Sequence, residues 1–99
     1  MIQVNIRRND DEIVLTMEGH ANYSDGNDIC AAASAIAYSW LGFLDNYCYD
    51  YTSEADSGHL YVRCKNNKEM NMAFAVTYIG LLQLEKKYKN CIKINEFVA

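Results

Sequence analysis

Residues 19–34 read G-H-A-N-Y-S-D-G-N-D-I-C-A-A-A-S, and this stretch joins a strand pattern to a helix pattern. Its first ten residues are rich in Gly, Asn, Asp and Ser, which predicts a loop. An alanine-rich run follows, and Asn27 or Asp28 is a good N-cap for a helix that begins there. The stretch also holds one of the two histidines, His20, and one of the four cysteines, Cys30. The stretch therefore places the most reactive pair of side chains in the chain at the start of the predicted helix.

The residues before this loop predict a β-hairpin. Residues 2–7 alternate apolar and polar side chains, and residues 13–18 do the same, which is the period of a half-buried strand. The polar N-D-D at residues 9–11 is typical of a turn. A short turn between two such strands predicts that they pair antiparallel.

The residues after the loop predict a helix and then a second hairpin. Apolar residues at helical spacing form a stripe that we expect to face a core. The stripe consists of Ile36, Ala37, Trp40, Leu41 and Leu44. Residues 47–64 then predict two strands, with Tyr47, Tyr49 and Tyr51 alternating along the first of them.

A second helix is predicted over residues 67–88, followed by a strand at 91–95. We expect four residues to form its core-facing side: Met72, Ala75, Ile79 and Leu82. Gly80 is unfavourable in a helix interior, and close packing against another element would explain it.

These elements follow one another in the order ββαββαβ. About five mostly antiparallel strands and two helices predict an α+β layered fold, with one domain spanning residues 1–99.

Charge and composition exclude several classes of function. The formal net charge is −4, which argues against direct nucleic-acid binding, since that needs a clustered basic surface. No apolar run approaches the ~20 residues that span a bilayer, and the N-terminus has a strand pattern, so we expect a cytoplasmic protein without membrane contact. The cysteines show neither C-x-x-C nor zinc-ligand spacing, which predicts reduced thiols, no metal site and no cofactor.

His20 and Cys30 form a candidate catalytic dyad. A thiolate is the nucleophile of cysteine enzymes, and the N-terminus of a helix favours an anion. Cys30 falls in the first turn of the predicted helix, and a loop that folds back brings His20 to it. His20 then transfers the proton and Cys30 attacks. The backbone N–H groups of Cys30 and of the residues just after it are candidate donors to the oxyanion. In the structural alternative, Cys30 is a small buried thiol and His20 a loop residue.

The same stretch resembles the signature of the ribosomal-processing cysteine protease family, Prp. That pattern is G-H-A, an aromatic residue, a glycine, D-I-V-C-A, and a serine four residues after the cysteine. Ten residues of this chain find counterparts in it: Gly19, His20, Ala21, Tyr23, Gly26, Asp28, Ile29, Cys30, Ala31 and Ser34. The order of elements and the chain length are also similar to those of the family.

The resemblance implies a small homodimeric cysteine peptidase. It implies Cys30 as nucleophile, His20 as general base and acid, and Asp28 and Ser34 as supporting residues. Family members remove an N-terminal extension from large-subunit ribosomal protein twenty-seven, and phage-associated relatives act on capsid-associated proteins. The resemblance therefore implies one of these two proteins as the partner.

Two alternatives stay open. His20 and Cys30 are ten residues apart, fewer than is usual in the family, and the valine of D-I-V-C is absent. This shortening favours a non-catalytic relative that binds a ribosomal or capsid-associated peptide without cutting it. A redox-sensing role of Cys30 is the other alternative, because an accessible thiolate is also readily oxidised. The tyrosines at 47–51 and Tyr23 are candidate walls for an apolar substrate side chain.

Overall fold

The computed structural model describes residues 1–19 and 26–98 and shows five strands and two helices in the order ββαββαβ. The elements are β1 (Ile2–Arg8), β2 (Glu12–Glu18), α1 (Gly26–Tyr47), β3 (Tyr51–Asp56), β4 (His59–Lys65), α2 (Lys68–Lys87) and β5 (Ile92–Val98). The strands form one mixed sheet in the order β3-β4-β2-β1-β5, so the predicted fold class is confirmed.

Within the described part of the chain, three of the four strand pairings are antiparallel, and β1 pairs with β5 in parallel. The β1–β2 hairpin turns at Asn9, whose side-chain oxygen accepts the N–H groups of Asp11 and Glu12 at 2.8 and 2.9 Å. This is the local bonding that favours Asn in turns. It fixes the register of the hairpin, in which Ile6 lies opposite Leu15.

One face of the sheet packs on both helices. Because side chains alternate along a strand, one set of positions in each strand supplies the core. These positions are Ile2, Val4 and Ile6 of β1, Ile13 and Leu15 of β2, Leu60, Val62 and Cys64 of β4, and Ile92 of β5, all buried. The other set lies on what we call the outer face of the sheet. It includes Gln3, Asn5, Arg7, Thr16, Glu18, His59, Tyr61, Arg63, Asn95 and Phe97.

Helix α1 contributes Ile29, Ala33, Ala37, Trp40 and Leu44 to the core. Three of these belong to the predicted stripe, and the other two stripe residues, Ile36 and Leu41, pack beside them half-buried. The helix begins at Gly26, earlier than expected, so the prediction of Asn27 or Asp28 as its N-cap was wrong: both residues lie inside the first turn.

The tyrosine row was also predicted wrongly. Helix α1 continues to Tyr47, and Tyr49 lies in the connection, so only Tyr51 belongs to a strand. The residues before Tyr47 form an uninterrupted helix, which overrides the alternating pattern of the aromatic residues. The second hairpin itself is confirmed as β3 and β4, with its turn at Ser57 and Gly58.

Helix α2 was placed correctly but oriented wrongly. It is capped by Asn67, whose side chain accepts the N–H of Met70 at 2.9 Å. Its buried residues are Met70, Phe74, Thr77 and Leu81, whereas the predicted face includes the exposed Met72 and Ile79. The helix is apolar on two sides, so periodicity alone did not identify the inner one.

Gly80 faces Ile36 of α1, but the packing there is not so close that it requires a glycine. A Cβ atom built on Gly80 would lie 3.4 Å from Cγ2 of Ile36, which is ordinary van der Waals contact. The inner side of α2 is fixed further by Phe74, whose ring lies edge-on to Trp40 with centroids 4.8 Å apart. Neither described helix is long and apolar enough to cross a bilayer.

Candidate active site

A cleft of about 170 Å³ opens at the end of the sheet where α1 begins. Antiparallel pairing brings four strand ends together here: the start of β1, the end of β2, the end of β3 and the start of β4. Helix α1 closes the remaining side with Cys30 and Ser34. Among residues 1–19 and 26–98, the lining consists of Ile2, Met17, Gly19, Cys30, Ala33, Ser34, Tyr38, Asp56, Gly58, His59 and Leu60.

Two glycines hold the strand ends of the cleft together. Gly19, at the end of β2, has φ +92°, and Gly58, before β4, has φ +77°. The N–H of Gly19 donates to the carbonyl of Gly58 at 3.0 Å. A Cβ atom on Gly19 would lie only 2.6 Å from the carbonyl oxygen of Met1. Gly19 is therefore required both by its left-handed backbone and by the close approach of the N-terminal residue.

Cys30 is the fifth residue of α1 and lies half-buried at the cleft wall. Ser34 follows one turn later on the same side of the helix and lines the same cleft. In a helix that begins at Gly26, the N–H of Cys30 points to the carbonyl of Gly26. The helix N–H groups left without an internal acceptor thus belong to residues before Cys30 rather than to Cys30.

Asp28 does not share the cleft with Cys30. It is exposed and lines the groove between α1 and α2, together with Ala32 and Gln83. Two helical positions separate Asp28 from Cys30, so their side chains point to nearly opposite sides of α1. An acidic residue in the first turn of a helix stabilises that turn through the helix dipole.

His20 lies outside the described residues, and it follows the cleft residue Gly19 directly in the sequence. The other histidine, His59, also borders the cleft, but its side chain alternates with that of the buried Leu60 and so projects to the outer face of the sheet. There Nδ1 of His59 lies 3.2 Å from Oε1 of Glu18, its cross-strand neighbour. The imidazole of His59 is thus directed away from Cys30.

The other three cysteines lie outside the cleft. Cys64 and Cys91 are buried. Burial raises the pKa of the Cys64 thiol to about 11, so it stays protonated at neutral pH. Cys48 is half-buried after the end of α1, where its thiol contacts the carbonyl of Asp50 at 3.5 Å. Cys30 is the cysteine that the fold places at the cleft.

Tyr38 is a cleft residue that was not predicted from the sequence. Tyr38 comes one helical turn after Ser34 and two after Cys30, and this i, i+4, i+8 spacing is the signal that was available. Tyr47 and Tyr49 were expected to contact an apolar substrate side chain, but both are exposed and neither lines the cleft. Tyr23, which was expected to do the same, lies outside the described residues. The apolar part of the wall comes instead from Ile2, Met17, Ala33 and Leu60.

The arrangement suits nucleophilic chemistry on a substrate held beside a thiol. A half-buried cysteine in the second turn of a long helix faces a cleft with apolar walls, and the positive end of the helix dipole lies nearby. Among residues 1–19 and 26–98, no group of three or more His, Cys, Asp or Glu side chains is placed to hold a metal ion.

Solved structures share this fold. The essential ribosomal processing protease Prp from Staphylococcus aureus, in complex with a substrate peptide, is 23% identical and superposes with a TM-score of 0.82, covering 98% of this chain and 100% of that one. Its complex with a covalently linked product peptide gives 24% identity and 0.76 over the same shares. SMU.848 from Streptococcus mutans gives 16% identity and 0.78, covering 100% of this chain and 96% of that one.

A comparison with curated proteins found no match. The model of one protein family does match, and it covers residues 1–93, nearly the whole chain and all of the cleft. With the signature around Cys30 and the fold that brings Cys30 to a cleft, this match shows that the chain belongs to the Prp family of cysteine proteases.

Proposed function

We propose that this chain is a ribosomal processing endopeptidase in which Cys30 is the nucleophile and His20 the general base and acid. The observation that carries the proposal is the position of Cys30 in a cleft that Gly19 also lines, because the next residue in the chain is His20. His59, the other histidine, is directed to Glu18 on the outer face of the sheet, which leaves His20 for this role.

The proposed reaction is acyl transfer. His20 takes the proton of the Cys30 thiol, and the sulfur attacks the carbonyl carbon of the scissile peptide bond. The tetrahedral intermediate collapses to a thioester when His20 gives its proton to the leaving amine. Water, deprotonated by His20, then attacks the thioester carbon, and the protonated Cys30 thiol leaves. The net change is hydrolysis of one peptide bond.

Ser34 and Asp28 support the dyad in different ways in this proposal. Ser34 lies one turn beyond Cys30 in the same cleft, so its hydroxyl contacts the bound peptide or the thiol. Asp28 acts from the other side of α1, where its charge stabilises the first helical turn and so fixes the position of Cys30.

The proposed substrate is the N-terminal extension of large-subunit ribosomal protein twenty-seven or a phage capsid-associated protein, cleaved in the cytoplasm by a homodimer. The fold neighbour from Staphylococcus aureus is described as a ribosomal processing protease and binds a substrate peptide, which supports a peptide substrate. The cleft volume of about 170 Å³ is close to the ~150 Å³ of a cavity that holds benzene. An apolar side chain next to the scissile bond therefore fits the apolar walls of the cleft.

A second candidate function is peptide binding without cleavage. The separation of ten residues between His20 and Cys30, which is shorter than usual in the family, favours it. A loop that holds His20 more than about 3.5 Å from the reacting atoms would leave the cleft intact but the chemistry slow.

Incubation with the N-terminally extended ribosomal protein, followed by mass spectrometry of the products, tests the proposal. We expect one cut in the extension by the wild type and none by Cys30→Ala. We expect His20→Ala to lower turnover by about 10²- to 10⁴-fold. Cys48→Ala is the matched control, since Cys48 is also half-buried but lies outside the cleft. Tight binding of the extended ribosomal protein without its cleavage would favour the second function. Cleavage by Cys30→Ala would exclude Cys30 as the nucleophile.

A further inference from the structure

Strand β3 lies at one edge of the sheet, and its residues are almost all exposed. The strand order β3-β4-β2-β1-β5 places β3 and β5 at the two edges. Tyr51 at the start of β3 is half-buried, and every other residue of the strand is exposed. An edge strand presents a row of backbone N–H and C=O groups with which another extended chain can pair.

The hydrogen bonds between β3 and β4 show which backbone groups face the free edge. The N–H of Lys65 donates to the carbonyl of Asp50 at 2.9 Å, one residue pair beyond the start of β3. In an antiparallel pair, opposite residues alternate between exchanging both hydrogen bonds and exchanging none. Ser53 and Ala55 therefore direct their N–H and C=O groups away from β4. In the part of the chain that the structure describes, these outward groups have no hydrogen-bond partner.

The opposite edge of the sheet is different, because a side chain of the same chain occupies it. On β5 the N–H of Ile94 donates to Oε2 of Glu85 on α2 at 2.7 Å. Covering an edge in this way keeps other chains from pairing with it. The free edge of β3 has no such contact among the described residues, so it stays available to a further strand.

We propose that the peptide substrate docks as an additional strand on the free edge of β3, through the residues next to its scissile bond. This rests on the proposed function, since the occupant is the peptide held at Cys30. The edge is continuous with the cleft, because Asp56, the last residue of β3, also lines the cleft. Main-chain hydrogen bonds to Ser53 and Ala55 would then align the peptide, as in other cases of strand addition.

The charges of β3 favour a basic peptide over a second copy of this chain. Glu54 and Asp56 project from the outer face of the sheet, opposite Tyr61 and His59. The ion pairs among the described residues use other carboxylates. Pairing of β3 with β3 of a second copy, outer face matched to outer face, would set these carboxylates against one another, which is destabilising. A segment with a Lys or Arg side chain on that face is complementary to them.

A proline at Ala55 tests the pairing. Proline has no N–H, and an edge strand accepts it where the N–H faces outward. Binding is measured by the fluorescence anisotropy of a labelled peptide of the ribosomal extension, in a Cys30→Ala background so that the peptide stays intact. We expect Ala55→Pro to weaken binding by about 3- to 10-fold, from the loss of one hydrogen bond.

Glu96→Pro is the matched control, because it removes a donor from the edge of β5. Glu96 is exposed and comes two residues after Ile94, so its N–H also faces away from β1. We expect the affinity for the peptide to be unchanged in this variant. Circular dichroism of both proline variants reports whether the fold is retained.

Methylation of single backbone nitrogens of the peptide tests the same pairing without changing the protein, and so covers a failure of Ala55→Pro to fold. A peptide that pairs with β3 directs every second N–H to the edge. We therefore expect methylation to weaken binding at alternate positions and to be tolerated between them. A loss of affinity without this alternation would overturn the proposal.

The charge of the occupant is tested by salt. We expect the affinity for the peptide to fall as the NaCl concentration rises, and Glu54→Gln to lower both the affinity and its dependence on salt. An unchanged salt dependence in Glu54→Gln would overturn the basic character of the segment.

The remaining outcomes separate this proposal from the proposed function. Cleavage by the wild type together with unchanged affinity in a folded Ala55→Pro variant would overturn strand addition alone. A peptide that is neither bound nor cleaved would overturn both. A dimer that Ala55→Pro converts to a monomer, with unchanged affinity for the peptide, would show that a second copy occupies the edge and would overturn the proposal.

Discussion

The cleft around Cys30 and the exposed apolar side of α2, which consists of Met72, Val76 and Ile79 and which we call the outer stripe of α2, are two accessible surfaces of one small chain. They are built in different ways. The cleft combines one helix with the ends of four strands, so its shape depends on how those elements meet. The outer stripe comes from one helix alone and depends only on that helix being folded. Substitutions that alter the backbone geometry are therefore expected to distort the cleft. Substitutions of single exposed side chains of α2 are expected to leave the fold of the chain intact.

The largest expected difference is between the two sides of α2. Phe74→Ala removes a fully buried ring that packs on Trp40, and we expect it to lower the free energy of unfolding by about 3–5 kcal/mol. Val76→Ala, two residues away on the outer stripe, is expected to change it by less than about 0.5 kcal/mol. Urea denaturation at low protein concentration measures both, so that dissociation of a dimer does not add to the result. Equal losses for the two variants would show that the stripe is part of the core of one chain.

A smaller effect is expected from the glycine that shapes the cleft. Gly19→Ala places a Cβ atom on a backbone with φ +92° and close to the carbonyl of Met1, so we expect a loss of about 1–3 kcal/mol. Peptide cleavage should fall as well, because Gly19 lines the cleft and precedes His20.

Gly42→Ala is the control for this change. Gly42 lies inside α1, and an added Cβ atom would meet nothing within 4 Å. We expect a gain of about 0.5–1 kcal/mol from reduced chain entropy and no change in cleavage. Thermal unfolding of both variants gives the comparison, and a Gly19→Ala variant as stable as the wild type would contradict the role given to the left-handed backbone.

The same contrast explains how much of the structure the sequence predicts. The two hairpins depend on local spacing, and the structure places them as expected. Cys30 and Ser34, one helical turn apart, line the same cleft. Tyr38 lies on α1 two helical turns after Cys30, so its spacing was a local signal for a cleft residue. Gly58 was not identified as a cleft residue, because the strand order that brings it to Cys30 depends on contacts distant in sequence. No local pattern carries that information.

Helix α2 was misjudged for a different reason. A periodic apolar pattern identifies a helix, but with two apolar sides it does not tell which side is buried in the chain and which is available to a second chain. Met72 and Ile79 were assigned to the core for this reason, whereas Phe74 and Leu81 occupy it. An error of this kind marks a surface worth testing for a partner.

The central claim, that the fold sets Cys30 apart as the nucleophile, is tested most directly by alkylation of the folded chain with iodoacetamide near neutral pH. Mass spectrometry of the digested protein gives the rate at each cysteine, and the unfolded chain serves as the reference for equal access. We predict that Cys30 reacts much faster than Cys48, although both are half-buried, and that Cys64, whose thiol pKa is raised to about 11, and the buried Cys91 react last. A rate at Cys30 no higher than that at Cys48 would contradict the claim.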